Sequence, residues 1–149
     1  MKDVKLFLAG LSWWMNGGGR IATMARVMAM ICVHDRERAR GFYRDVLGPV
    51  FGIGAPAIDH FGDQFPCGDG FIRLTALPDW APGQYPVLGW QVDDAGAAVA
   101  GLVAKGVEML IYPGFGQDAH GIWNSPDGGA RIAWFNDSEG NLLSLTQQR

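Results

Sequence analysis

Apolar residues recur with two different periods along this chain, and the switches between them mark its elements. Residues 26–33 (RVMAMICV) form a short apolar run that predicts a strand. Asp35 then stands as the N-cap of a helix through DRERARGFYRDVL. There Ala39, Phe42, Tyr43, Val46 and Leu47 fall on one face. Gly48-Pro49 is expected to end that helix. Short strands are expected near 49–53, 57–65 and 70–77, and Pro78, Pro82 and Pro86 mark a linker.

The pattern then starts again. Residues 87–92 (VLGWQV) predict a strand and Asp94 a second N-cap. Ala95, Ala98, Val99, Leu102 and Val103 make a second apolar stripe, which Gly106 stops. Short strands are expected at 107–112, 121–124, 131–136 and 142–147, with a tight turn at Asp137–Asn141 before the last. Val33-His34-Asp35 opens one helix and Val92-Asp93-Asp94 the other, so the chain reads as an internal repeat of strand, helix and three strands.

Two phrases carry a resemblance. One is Phe42-Tyr43-Arg44-Asp45-Val46-Leu47-Gly48. The other is Phe135-Asn136-Asp137-Ser138-Glu139-Gly140-Asn141-Leu142. Together they make the chain resemble the glyoxalase/bleomycin-resistance, or vicinal oxygen chelate, superfamily over residues 26–147. The stretch GFGQDAHGIW (114–123) resembles a metal-less subgroup of small members. The resemblance implies an α+β fold. Two tandem βαβββ modules form a curved eight-stranded mixed sheet around a cleft, with helices outside. The implied layout is an N-terminal arm (1–25) and a single domain (26–149), with modules at 26–78 and 86–149. Its length of 149 residues suits one domain.

Metal-using relatives place one ligand on the first and last strand of each module. Carried over, those positions fall on Met28, Arg73, Val87 and Ser144. A hard divalent cation needs imidazole, carboxylate or thiolate donors. Met and Val supply none, neutral Ser is weak, and Arg is a fixed positive charge. The resemblance with these substitutions therefore implies no metal and no cofactor.

Strand side chains alternate between faces. If Met28 faces the cleft, so do Met30 and Cys32; Phe71, Arg73 and Thr75 follow, with Val87, Gly89 and Gln91, then Leu142, Ser144 and Thr146. A buried Arg73 needs a partner. Either a ligand anion or an internal carboxylate, Asp59 or Asp118, would serve. His120, in a loop that can cover the cleft, is the best acid–base candidate, with a structural loop as the plainer reading. Trp123 and Trp134 line the cleft or a dimer seam, or pack in the core. Trp90 is expected beneath a helix. Arg36, Arg40 and Arg44 recur every four residues and read as a solvated face.

Composition removes several classes. Lys and Arg number 12 against 15 Asp and Glu, so no basic field draws nucleic acid. No run of 18 apolar residues predicts a membrane span. Two cysteines are too few for a disulfide scaffold and suit a cytoplasmic protein. The expected function is metal-independent binding of a small anionic or aromatic molecule by a homodimer. The contact residues would be Met28, Met30, Phe71, Arg73, Val87, Gln91, His120, Trp123 and Ser144. A glyoxalase-like lyase, isomerase or dioxygenase is the alternative.

Overall fold

The computed structural model describes residues 25–149; the expected arm, apart from Ala25, lies outside the described residues. Strand β1 (Met28–Val33) leads into a long helix, α1 (residues 36–51). Strands β2 (Ala57–Ile58), β3 (Asp63–Cys67) and β4 (Gly70–Ala76) complete the first module. The second runs β5 (Leu88–Gln91), α2 (Ala95–Ala104), β6 (Trp123–Asn124), β7 (Ala130–Asn136) and β8 (Leu142–Gln148). The eight strands divide into two mixed four-stranded sheets, β1-β4-β3-β2 and β5-β8-β7-β6. β1 is parallel to β4 and β5 to β8; the other pairs are antiparallel. This is the α+β, twice-repeated βαβββ arrangement that the periodicity and the resemblance imply.

Both helices start where the pattern places them. Asp35 accepts a hydrogen bond from the Arg38 amide at 2.9 Å, and Asp94 from the Ala97 amide at 3.0 Å. The first helix, however, does not end at Gly48-Pro49. Its middle, Phe42–Leu47, is a π-helix, and the Gly48 amide reaches back to the Tyr43 carbonyl. The wider turn admits Pro49, which has no amide hydrogen to donate, so one last α-turn forms. Gly52, at φ +67°, ends it. Residues 49–53 are therefore helix and turn, with only Ile53 bridged to Cys67. The strand expected at 107–112 shrinks to a bridge between Met109 and Phe135. The reason is local: the Tyr112 amide donates to Gln117 Oε1 at 2.7 Å and is lost to any ladder.

Each sheet has one face under a helix. Ile31, Val33, Phe65, Ile72 and Leu74 line the inner face of the first; Ala133, Phe135, Leu143 and Leu145 line that of the second. Ala39, Tyr43 and Leu47 of α1 join one continuous core with Ala95, Val99 and Leu102 of α2. Trp90 stacks on Phe51 at the end of α1, ring centroids 4.2 Å apart and planes 2° from parallel, so it does sit beneath a helix. Such a pair adds about 1 kcal/mol beyond its burial.

The modules are also joined by polar groups. Tyr43 donates its hydroxyl to Asp137 Oδ2 at 3.0 Å, and both side chains are buried. Asp137 also accepts from the Glu139 and Asn141 amides and from Asn141 Nδ2. Asn141 Nδ2 donates in turn to the Cys32 carbonyl. Glu139 takes the amides of His34 and Asp35 and the Arg38 guanidinium, capping α1 from the other module. The two phrases that carried the resemblance therefore bind each other. Within the first module, Arg36 and Arg40 are not a solvated stripe. Both point at fully buried Asp63, with Arg40 Nε at 2.9 Å. Only Arg44, paired with Asp45, sits in the open.

Substituting Tyr43→Phe should cost roughly 2 kcal/mol in urea unfolding, because it strips a hydrogen bond from a buried carboxylate. Burial, then Asp137, pushes the Tyr43 hydroxyl well above its ordinary value. The stability tied to this group is complete below the unfolded tyrosine value of ~10 and is lost as pH rises beyond it. The substituted protein should lack that component of the alkaline decline.

Candidate functional site

The face of each sheet turned away from the helices carries the residues that alternation assigned to a ligand. In the first sheet Met28 stands beside Phe71, Met30 beside Arg73 and Cys32 beside Thr75. Met28 is 42% and Met30 59% exposed. The Arg26 guanidinium lies 5.0 Å above the Phe71 ring, a cation–π contact. Thr75 Oγ1 is buried with no hydrogen-bond partner among the described residues.

Arg73 has an internal partner. Its Nη2 donates to both carboxylate oxygens of Asp59, each at 2.9 Å. Asp59 also accepts the amides of Phe61 and Gly62 at 2.7 and 2.9 Å. The Arg73 contact and then these amides hold its carboxyl below the usual aspartate range. Arg36 fixes the loop from behind by donating to the carbonyls of Asp59 and His60. Gly62 is required here, because a Cβ would come within 2.5 Å of the Leu74 carbonyl oxygen. Asp118, the other candidate partner, instead accepts the amides of His120 and Ile122 inside its own loop.

The second sheet presents Val87, Gly89 and Gln91 alongside Ser144 and Thr146. A Cβ on Gly89 would meet Ser144 Oγ at 2.7 Å, so the missing side chain leaves that hydroxyl its room. Two shallow grooves flank β5. One, of about 260 Å³, is lined by Gln91, Thr146 and Gln148; the other, of about 220 Å³, by Phe71, Ala29 and Leu88, and Gly89 and Trp90 border both. The second groove thus has walls from both sheets. Among the described residues no ion pair or side-chain hydrogen bond links Arg73 to Gln91 or Ser144.

The neighbouring loop adds residues that alternation along strands does not reach. Trp123 and Trp134 are half-buried, and Phe115 and Tyr112 pack on them. Phe115 lies 5.5 Å from Trp123 and 5.6 Å from Trp134. The Gly-Phe-Gly triplet at 114–116 was the available signal, since both glycines have positive φ and lift Phe115 out of the chain. His120 is exposed at the end of the same loop.

Met28, Arg73, Val87 and Ser144, the positions to which the resemblance carries the metal ligands, hold a thioether, a guanidinium, an isopropyl group and a hydroxyl, a set that does not fit a divalent cation. Among the described residues no group of three or more His, Cys, Asp or Glu could hold an ion. Both Cys32 and Cys67 are free thiols. No described helix is long and apolar enough to cross a membrane.

Replacing Asp59 with Asn should free the Arg73 guanidinium for external anions. Benzoate titrated into the variant should bind several-fold more tightly than into the parent protein, with the gain fading at high salt. Equal binding would mean that Arg73 is inaccessible to a ligand.

No protein-family model and no curated protein matches the sequence. Solved structures do match. The chain is 27% identical to TnmS3, an antibiotic binding protein from Streptomyces sp. CB03234, with a TM-score of 0.62 over 87% of this chain and 100% of that one. A glyoxalase/bleomycin resistance protein from Albidiferax ferrireducens T118 is 21% identical, with a TM-score of 0.62 over 82% and 97%. The fosfomycin resistance protein FosX from Listeria monocytogenes is 15% identical, with a TM-score of 0.63 over 87% and 96%. With its repeated βαβββ modules and these matches, the chain has the fold of the glyoxalase/bleomycin-resistance, or vicinal oxygen chelate, superfamily.

Proposed function

We propose that this chain is a metal-independent small-molecule binding protein that works as a homodimer, with its ligand on the helix-free faces of the two sheets. One observation carries the reading. Those faces hold apolar and aromatic side chains open to solvent: Met28, Met30, Val87, Tyr112 and Phe115. Apolar side chains grouped on one surface in this way mark a place where a ligand or a second copy docks. Thioether and aromatic groups adapt to varied organic shapes, and isolated polar groups such as Ser144, Gln91 and Thr75 suit orienting contacts.

Size supports the dimer. The groove on the helix-free face of the second sheet, at about 260 Å³, falls below the ~300–1,000 Å³ of ordinary small-molecule sites. Cover from a second copy would enlarge and dry the site. The choice between an anionic and an aromatic ligand leans to the aromatic, because Asp59 already neutralises Arg73. A relative named as an antibiotic binding protein fits a sequestering role. Free thiols at Cys32 and Cys67 suit a reducing compartment such as the cytoplasm. A metal-dependent lyase, isomerase or dioxygenase would need donors that Met28, Arg73, Val87 and Ser144 do not supply.

The test combines equilibrium dialysis, mass spectrometry and sedimentation equilibrium. Against a panel of aromatic and phosphonate antibiotics, the expected result is saturable binding of at least one aromatic compound, unaffected by chelator. The compound should return with its mass unchanged. The protein should sediment as a dimer, and Met30→Lys should weaken association about tenfold or more by burying a charge. Binding that vanishes with chelator and returns with a divalent cation would contradict the proposal, as would a chemically altered ligand or a monomer at binding concentrations.

A further inference from the structure

In the loop between the Met109 bridge and β6, Asp118 orders the last residues by accepting the His120 and Ile122 amides, and Gln117 joins the two ends. Gln117 Oε1 accepts the Tyr112 amide at 2.7 Å, and its Nε2 donates to the Leu110 carbonyl at 2.8 Å and the Gly121 carbonyl at 2.7 Å. One amide therefore does what a strand ladder would do, and ties both ends of the loop together. Between those ends, Gly114 and Gly116 both take positive φ, at 81° and 77°. Glycine-rich loops are entropically costly to order, so a loop pinned this way is set against its own composition. What the pinning presents is Phe115, 47% exposed.

The rings around it form a corner. Phe115 and Trp123 lie 29° from parallel. Trp134 stands at 72° to Phe115, and Tyr112 at 76° to Trp134. A flat ring entering such a corner gains an offset stack from one wall and an edge contact from the other, the two arrangements that aromatic quadrupoles favour. The loop lies over the helix-free face of the second sheet, since Trp123 pairs with Ile132 and Trp134 with Ser144. Hydrogen-bonding side chains at Ser144, Thr146 and Gln91 share that face.

We propose that Gln117 is a positioning residue that presets this aromatic corner, and that the ligand is therefore a planar aromatic ring system with a polar edge. This rests on the small-molecule reading above and narrows it. A puckered aliphatic molecule of equal size would touch the same walls but could neither stack nor meet a ring edge in register. Nothing in the corner selects for negative charge, in keeping with the neutralised Arg73.

The experiment compares 1-naphthol with decahydro-1-naphthol, which share size and hydroxyl but differ in planarity, by ligand-observed NMR with the full chain. The aromatic probe should bind about tenfold more tightly. Gln117→Ala should weaken 1-naphthol binding about fivefold, leave the saturated probe unchanged, and speed hydrogen exchange at the Tyr112 amide. Phe115→Leu should also lose the preference, and Phe115→Tyr should keep it. Phe115 is half-exposed, so its two variants should unfold at nearly the parent temperature, whereas Gln117→Ala, which loses three hydrogen bonds, should unfold a few degrees lower while staying folded. Equal affinity for the two probes, or no binding of either, would overturn the aromatic corner. Loss of affinity in Gln117→Ala with Tyr112 still protected would overturn the positioning role. Either failure leaves the small-molecule reading to stand or fall on the antibiotic panel.

Discussion

The buried contact between Tyr43 and Asp137 is the constraint on which the arrangement of the two modules depends. Each repeat by itself is a small sheet with one helix, too thin to bury much on its own. A hydroxyl from the first repeat and a carboxylate from the second, both out of water, fix how the repeats meet. The carboxylate is also wrapped by its own turn, through the Glu139 and Asn141 amides. The same turn sends Glu139 to the start of α1 and Asn141 to the end of β1. One five-residue turn thus orients the opposite helix and strand. Phe51 on Trp90 supplies the apolar counterpart at the far end of α1. With both inner faces committed to this junction, the other faces of the sheets are left for function.

That division explains the character of the site. Carboxylates of the molecule are spent on internal order: buried Asp63 on Arg36 and Arg40, buried Glu139 on the α1 terminus, and exposed Asp59 on Arg73. What remains at the helix-free faces is mostly thioether, aromatic and neutral hydrogen-bonding. Such a surface recognises shape and ring systems better than it performs proton transfer or charge stabilisation, which need ionisable groups aimed at a reacting atom.

Much of the scaffold was legible in the sequence. Alternation in MAMICV placed Ile31 and Val33 inside and Met28 and Met30 outside, and Asp35 and Asp94 cap the helices they precede. Errors arose where a side chain replaced a backbone partner. Pro49 looks like a helix stop because the π-turn that accommodates it leaves no trace in hydrophobic period. Residues 107–112 look like a strand because Gln117, five residues beyond Tyr112, captures the amide a ladder would use. Arg36 and Arg40 look solvated because Asp63, 27 and 23 residues away, is invisible to helical spacing. Of the site, the strand residues followed from parity. The aromatic corner and the Asp59 partner lie in loops, where no period operates and only the Gly-Phe-Gly triplet hinted at a presented ring.

A ligand of this protein belongs, in the proposed function, on the helix-free faces of the two sheets. Methionine methyl NMR reports on this directly, because Met28 and Met30 sit on such a face while Met109 packs against the core. With methyl-labelled methionine and 1-anilinonaphthalene-8-sulfonate as a general apolar probe, the Met28 and Met30 resonances should move saturably while that of Met109 stays. Saturable binding of the probe with Met28 and Met30 and the indole signals of Trp123 and Trp134 all unmoved would contradict it.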